Sequence, residues 1–152
     1  MKKLLFLVLI IAAAVVGLMG FGPSIDPTLP DSATAFPYVK FVNPDDPSDV
    51  CRRIDYAGRT YLPYGELCAA VSGKDTAGVI GYLVYDDAPE NTASRVIALK
   101  DTADYLMIFY DTHNQRQPTF FRAADTRNMR SEKPEFIGSL HYAYWGQEDQ
   151  TP

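Results

Sequence analysis

The chain is short of the residues that most chemistry needs. It holds two cysteines and two histidines in 152 residues. His113 and His141 stand far apart and neither adjoins a cysteine, so the clustered spacing of a zinc site is missing. No Gly-x-Ser-x-Gly elbow presents a nucleophile. Gly73, Gly78 and Gly81 are spaced like turn and bulge glycines, and no phosphate loop or dinucleotide fingerprint exists. No cofactor is therefore expected. Positive charge is scarce too. Setting aside Lys2 and Lys3 leaves 12 basic against 19 acidic residues, a net charge of −7. Such a domain repels phosphate backbones and anionic lipid, which speaks against nucleic-acid partners.

One long apolar run is present. Residues 4–22 carry no charge and no strongly polar side chain. As a helix they would extend about 28 Å, close to the ~30 Å hydrocarbon core of a bilayer. A soluble helix of that length would show a polar face, and this one has none. Two readings fit residues 1–22: an uncleaved anchor, or a signal peptide. The run is long for a signal peptide. Ala12 and Ala14 have the small-x-small spacing but lie inside it, and a cut after Gly22 would precede Pro23. Both readings place the rest of the chain outside the cytoplasm. The lysine pair before the run puts the N-terminus inside. The membrane is thus an expected partner through residues 4–22.

Residues 23–35 hold Pro23, Pro27 and Pro30 among Ser, Thr and Asp, and read as an extended spacer. Residues 36–146 form the domain, and residues 147–152 a polar tail. Inside the domain the patterns are mostly β. Strands are expected over 38–42, 50–56, 59–64, 79–85, 95–99, 105–110, 120–124 and 137–145, with Ala57-Gly58 as a hairpin turn. Residues 65–72 carry Leu67, Ala69, Ala70 and Val71 before Gly73, the pattern of a short helix. The fold class that follows is mainly β, a small antiparallel barrel or sandwich with one short helix. Cys51 and Cys68 form an even pair in an oxidising compartment. Bridged, they would close a loop worth about 3 kcal/mol; the alternative is two reduced, buried thiols.

The segments Tyr61-Leu62-Pro63-Tyr64-Gly65, Ile80-Gly81-Tyr82, Arg95 to Leu99, Tyr105-Leu106 and Phe121 to Thr126 resemble a family of small uncharacterised bacterial secreted proteins and lipoproteins. The resemblance covers about residues 50–127. It implies an extracytoplasmic domain and carries no catalytic residue with it. Members are often lipoproteins, whereas here no cysteine directly follows the apolar run.

Several constellations have two readings. Ten Tyr and eight Phe suit strand cores; alternatively Tyr142, Tyr144 and Trp145 form an exposed platform for a glycan or peptide. Arg122, Arg127, Arg130 and Lys133 make a basic stretch beside Phe120 and Phe121, with Arg122 either ligand-binding or paired to a carboxylate. Ser139 and His141 share a strand face and, like His113, are the residues a small hydrolase would use. Asp45, Asp46 and Asp49 lie together, but two prolines interrupt them and the spacing is not that of an EF-hand. The reading that fits best is a binding or interaction module with a protein or glycan partner. Two alternatives stand beside it: an extracytoplasmic hydrolase, and a self-protection or inhibitor protein that masks a basic partner.

Overall fold

The fold was obtained as a computed structural model, which describes residues 25–111, 117–139 and 142–146. The apolar run at 4–22, the tail at 147–152 and both histidines lie outside the described residues. Among the described residues no helix is long and apolar enough to cross a membrane.

Among the described residues nine strands form one sheet: β1 (Thr34–Pro37), β2 (Val39–Asn43), β3 (Asp46–Tyr56), β4 (Arg59–Leu67), β5 (Thr76–Val84), β6 (Arg95–Leu99), β7 (Tyr105–Phe109), β8 (Thr119–Ala123) and β9 (Ile137–Ser139). Their spatial order is β1-β5-β6-β7-β8-β4-β3-β2, with β9 on β4. The chain is mainly β, as expected. It is a curled half-barrel of mixed strand direction rather than a purely antiparallel barrel or sandwich, because β1 runs parallel to β5. The two ends of the strand order are consecutive in the chain, with Tyr38 alone between them. Residues 34–37 pair with β5 and residues 39–43 pair with β3, so one extended segment touches both edges of the curl.

Alternation along each strand separates two cores. On β7, Leu106 and Ile108 face the inner core with Phe36, Tyr38, Ile54 and Phe121. Tyr105, Met107 and Phe109 face an outer core with Leu62, Tyr64, Ile97 and Phe120. All five residues of β7 are buried, which is why its sequence reads apolar on both parities. Each fully buried Leu, Ile or Phe side chain adds roughly 1.5–3 kcal/mol through removal from water. The outer core is covered by chain from both ends of the described sequence: Ile25 from one side, and Ile137, Tyr144 and Trp145 from the other.

Four sequence expectations change. The spacer at 23–35 is docked from Ile25 onward, with Ile25 only 7% exposed and β1 beginning at Thr34. The short helix at 65–72 is not formed. β4 runs on to Leu67, because its last residues are claimed by β8 on one side and β9 on the other. The strand over 137–145 stops at Ser139, and Ala143–Trp145 makes a 3-10 turn. The Cys51–Cys68 bridge is absent; both thiols are free. The hairpin register explains this. Ile54 faces Tyr61, so Cys51 falls opposite Tyr64, four residues short of Cys68. Four strand residues span about 13 Å, whereas a disulfide requires Cα atoms within about 7 Å. Instead Tyr142 Oη donates to Cys51 Sγ at 2.9 Å, and Cys68 Sγ donates to Glu135 O at 3.3 Å.

The parallel pairing of β1 depends on Gly81, the partner of Thr34. A Cβ at that position would stand 1.9 Å from Thr34 O and 2.7 Å from the Phe36 ring. Gly81→Ala is therefore expected to push β1 off β5 and lower stability by about 1–3 kcal/mol. A reduced urea midpoint together with faster amide exchange over residues 34–36 checks it.

Candidate functional site

The strand registers give the curl two distinguishable ends. Arg95, Phe109 and Thr119 lie toward one; Leu99, Tyr105 and Ala123 lie toward the other.

The Arg95 end is sealed by tyrosines. Tyr38 and Tyr110 hydroxyls are 3.0 Å apart, and Tyr38 meets Tyr85 edge-on at 5.5 Å. The Arg52 guanidinium lies 5.5 Å from the Tyr38 ring centre and donates to Tyr38 O at 2.6 Å. Burial pushes the Tyr38 phenol far above its ordinary range, and burial raises Tyr110 as well. Both therefore stay neutral at physiological pH, one hydroxyl donating to the other.

The Leu99 end is open. The turn joining β6 to β7 forms one wall of a recess of about 560 Å³, and residues 130–136 form the facing wall. Leu99, Pro134 and Phe136 supply apolar lining. Around them stand five carboxylates, Asp75, Asp101, Asp104, Glu132 and Glu135, and two cations, Arg130 and Lys133. Two of the carboxylates are engaged. Asp75 accepts from Ser72 N at 2.8 Å and Ser72 Oγ at 2.9 Å, which holds it below the usual carboxylate range. Asp104 accepts from Arg59 at 2.9 Å and from Ser131 Oγ at 3.1 Å. The ion pairs among the described residues involve none of Asp101, Glu132, Glu135, Arg130 and Lys133. A second recess of about 330 Å³ lies on the other side of the same turn, beside Tyr56 and Tyr61.

Both turn and wall are braced from below. Arg59 grips Asp125 through two bonds, at 2.9 and 2.6 Å, and also donates to Ala103 O at 2.9 Å. Arg122 is 6% exposed. It donates from Nε to Thr126 Oγ1 at 2.8 Å, and from Nη2 to the carbonyls of Thr126 and Met129 at 2.9 and 3.1 Å. Its guanidinium sits 5.1 Å from the Tyr64 ring and 4.9 Å from the Trp145 ring. Met129 directly precedes the recess wall, so Arg122 fixes where that wall starts.

The structure does bring Arg122, Tyr144 and Trp145 together, but as core. Tyr144 is 8% and Trp145 6% exposed, and Trp145 Nε1 donates to Pro63 O at 2.7 Å. They meet edge-on at 5.0 Å, while Tyr142 stacks on Tyr144 at 6.2 Å and is partly exposed. The expected aromatic platform is thus turned inward, because its rings cover the outer face of the sheet. The basic stretch divides three ways. Arg122 is buried, and Arg127 pairs with Asp45 at 2.7 Å over the Tyr144 ring. Only Arg130 and Lys133 reach the recess. Asp45, Asp46 and Asp49 do not converge. Asn43 binds Asp49 at 2.9 Å and Asp46 binds Ser48, and no metal-ligand group of three exists among the described residues. His113 and His141 lie outside the described residues, as does the side chain of Ser139. The recess itself escaped sequence reading, because it is assembled from residues 75, 99–104 and 130–136. No family model, curated protein or solved structure matches the chain.

Two substitutions test the bracing. Arg122→Ala leaves two carbonyls and a hydroxyl without their donor in a buried site, with an expected loss of about 2–4 kcal/mol. Arg122→Lys keeps the charge but not the planar fork, and is expected to lose less. Urea unfolding followed by the emission of Trp145, the one tryptophan, measures both. For the Arg59 clamp the expectation depends on pH. The Arg59 hydrogen bond holds the Asp125 carboxyl below its ordinary 3.8. A depressed carboxylate adds stability above its unfolded pKa, and that stability is lost as pH falls through the folded value. Asp125 is largely exposed, so Asp125→Asn is expected to cost only about 0.2–1 kcal/mol at neutral pH. The difference from the parent closes as pH falls below about 4, which unfolding curves at neutral and acid pH would reveal.

Proposed function

We propose that the chain is an extracytoplasmic binding module, held at or routed through a membrane by residues 4–22, whose ligand site is the charged recess at the Leu99 end. The observation that carries this reading is the convergence of five unengaged charged side chains on one concave, partly apolar volume. Charges that form no ion pair among the described residues are available to a ligand, and about 300–1,000 Å³ is the usual size of a small-molecule or peptide-side-chain site. The three unengaged carboxylates, Asp101, Glu132 and Glu135, against two cations favour a ligand bearing a cationic group, with Arg130 and Lys133 left for an adjacent carboxylate or carbonyl. A short basic peptide has that chemistry. The acidic balance of the whole domain acts in the same direction, by steering cationic partners toward it.

The test is a titration of the full chain with an acetylated lysine-rich tetrapeptide and a glutamate-rich one, followed by amide shifts. Saturable shifts at Leu99, Asp101 and Phe136 with the lysine peptide alone support the reading. The double variant Asp101→Lys, Glu132→Lys is expected to weaken that binding at least about tenfold, equivalent to 1.4 kcal/mol. Absence of saturable shifts with either peptide, or shifts confined to other surfaces, would reject the recess as the site.

A further inference from the structure

We propose that residues 25–33 are a strap that sets which way the domain faces on a membrane, with the Arg95 end toward the bilayer and the recess away from it. This rests on the reading that residues 4–22 hold the chain in a bilayer.

The strap is attached to the body at its start and runs into β1 at its end. Ile25 is buried in the outer core. Asp26 accepts from Thr28 N at 2.9 Å and Thr28 Oγ1 at 2.6 Å, which shapes the turn that follows. Pro27 O accepts from Arg95 Nε at 2.5 Å, and Pro30 O accepts from Ala33 N at 2.9 Å. β1 then begins at Thr34 and is locked into the parallel ladder with β5. Proline helps at two points, Pro27 and Pro30, because its fixed φ lowers the entropy lost when the strap docks.

This attachment leaves little slack. Only Pro23 and Ser24 separate the end of the apolar run from Ile25. Three extended steps span about 10 Å at most. That is little more than the interfacial layer on one side of a bilayer, about 5–8 Å. A domain on so short a tether cannot tumble freely, and the place where the strap meets the body must stay near the headgroups. Two residues beyond Ile25, the Pro27 carbonyl is held by Arg95, the first residue of β6. From Arg95 to Leu99 the strand advances about 13 Å, and the recess opens beyond Leu99 in the turn that follows. Charge does not supply the orientation, since a net −7 domain has no attraction to anionic lipid. The tether sets it, and a ligand for the recess arrives from the aqueous side.

The experiment places one fluorophore at either end of β6. Thr92→Cys and Asp101→Cys are made separately in full-length chain carrying Cys51→Ser and Cys68→Ser, where serine retains an acceptor for Tyr142. Both label sites are exposed loop positions. Each labelled chain is reconstituted into phosphatidylcholine vesicles with a nitroxide on part of the headgroups. The label at 92 should lose its emission to the nitroxide while the label at 101 keeps it. A flexible Gly/Ser insert of about ten residues after Ser24 should abolish the difference. Equal quenching at both sites, stronger quenching at 101, or a difference that survives the insert would each overturn the proposal. If the chain does not sediment with the vesicles at all, the membrane reading itself fails, and the strap proposal falls with it.

Discussion

The structure depends on one segment of ten residues that must be extended over its whole length. Residues 34–43 hydrogen-bond to β5 with their first half and to β3 with their second. A curled sheet left open exposes two edges, each a row of unpaired amides able to pair with other chains. Here the same segment occupies both. The inner core relies on it as well, since Phe36 and Tyr38 enter that core from this segment. The segment can approach β5 only because Gly81 has no Cβ. A single small residue on one strand thus conditions the edge, the inner core and the docking of the strap that leads into it.

The outer core obeys a different constraint. A half-barrel has a convex face as well as a concave one, and a domain of this length has no second sheet to cover it. The chain uses its two flanks instead. Aromatic rings do most of the covering, with Tyr64, Tyr105, Tyr144 and Trp145 in edge-on contact at 5.0–5.5 Å. Such contacts add about 0.5–1.5 kcal/mol beyond area burial. Rings alone would leave the polar loop after β8 without partners, and Arg122 resolves this by setting its guanidinium against the Tyr64 and Trp145 rings while its N–H groups serve that loop. Lysine has no such plane, which is why the position suits arginine. Burial on both faces also explains how a small domain holds together with its two cysteines unpaired.

Much of this was legible in the sequence where interactions are local. Seven of the eight expected strands lie within a few residues of β2 to β8. The Ala57-Gly58 turn has positive φ at both residues, 51° and 76°, as a two-residue hairpin requires. What failed was nonlocal. The prolines before residue 37 correctly indicate extended chain, but no local signal says that extended chain pairs with a strand almost fifty residues later. Leu67, Ala69, Ala70 and Val71 have helical spacing, yet hydrogen bonds offered by β8 and β9 outweigh so weak a preference. The cysteine pairing was legible in principle. Once the hairpin turn is placed at Ala57-Gly58, counting along its arms already puts Cys51 and Cys68 out of reach. For the aromatics, composition says that rings will be buried somewhere and cannot say which ones cover the convex face.

The two ends of the curl argue for where function lies. At the Arg95 end, hydroxyl meets hydroxyl, a guanidinium lies over a ring and the strap is tied down, so polar groups there are spent on the fold. At the Leu99 end the fold spends polar groups only on bracing, through Arg59, Asp104, Asp125 and Ser72. The charges of Asp101, Arg130, Glu132, Lys133 and Glu135 on those braced walls enter no ion pair among the described residues. Anchoring a wall firmly while leaving its charges unengaged adds little to stability, because exposed unpaired charges contribute almost nothing to folding. On the proposed binding role it would place the backbone that carries those charges before a ligand arrives, which lowers the ordering cost of binding. Rigid support beneath unengaged charge is what distinguishes this recess from an ordinary solvated loop, and it accounts for why an arginine as buried as Arg122 stands directly behind it.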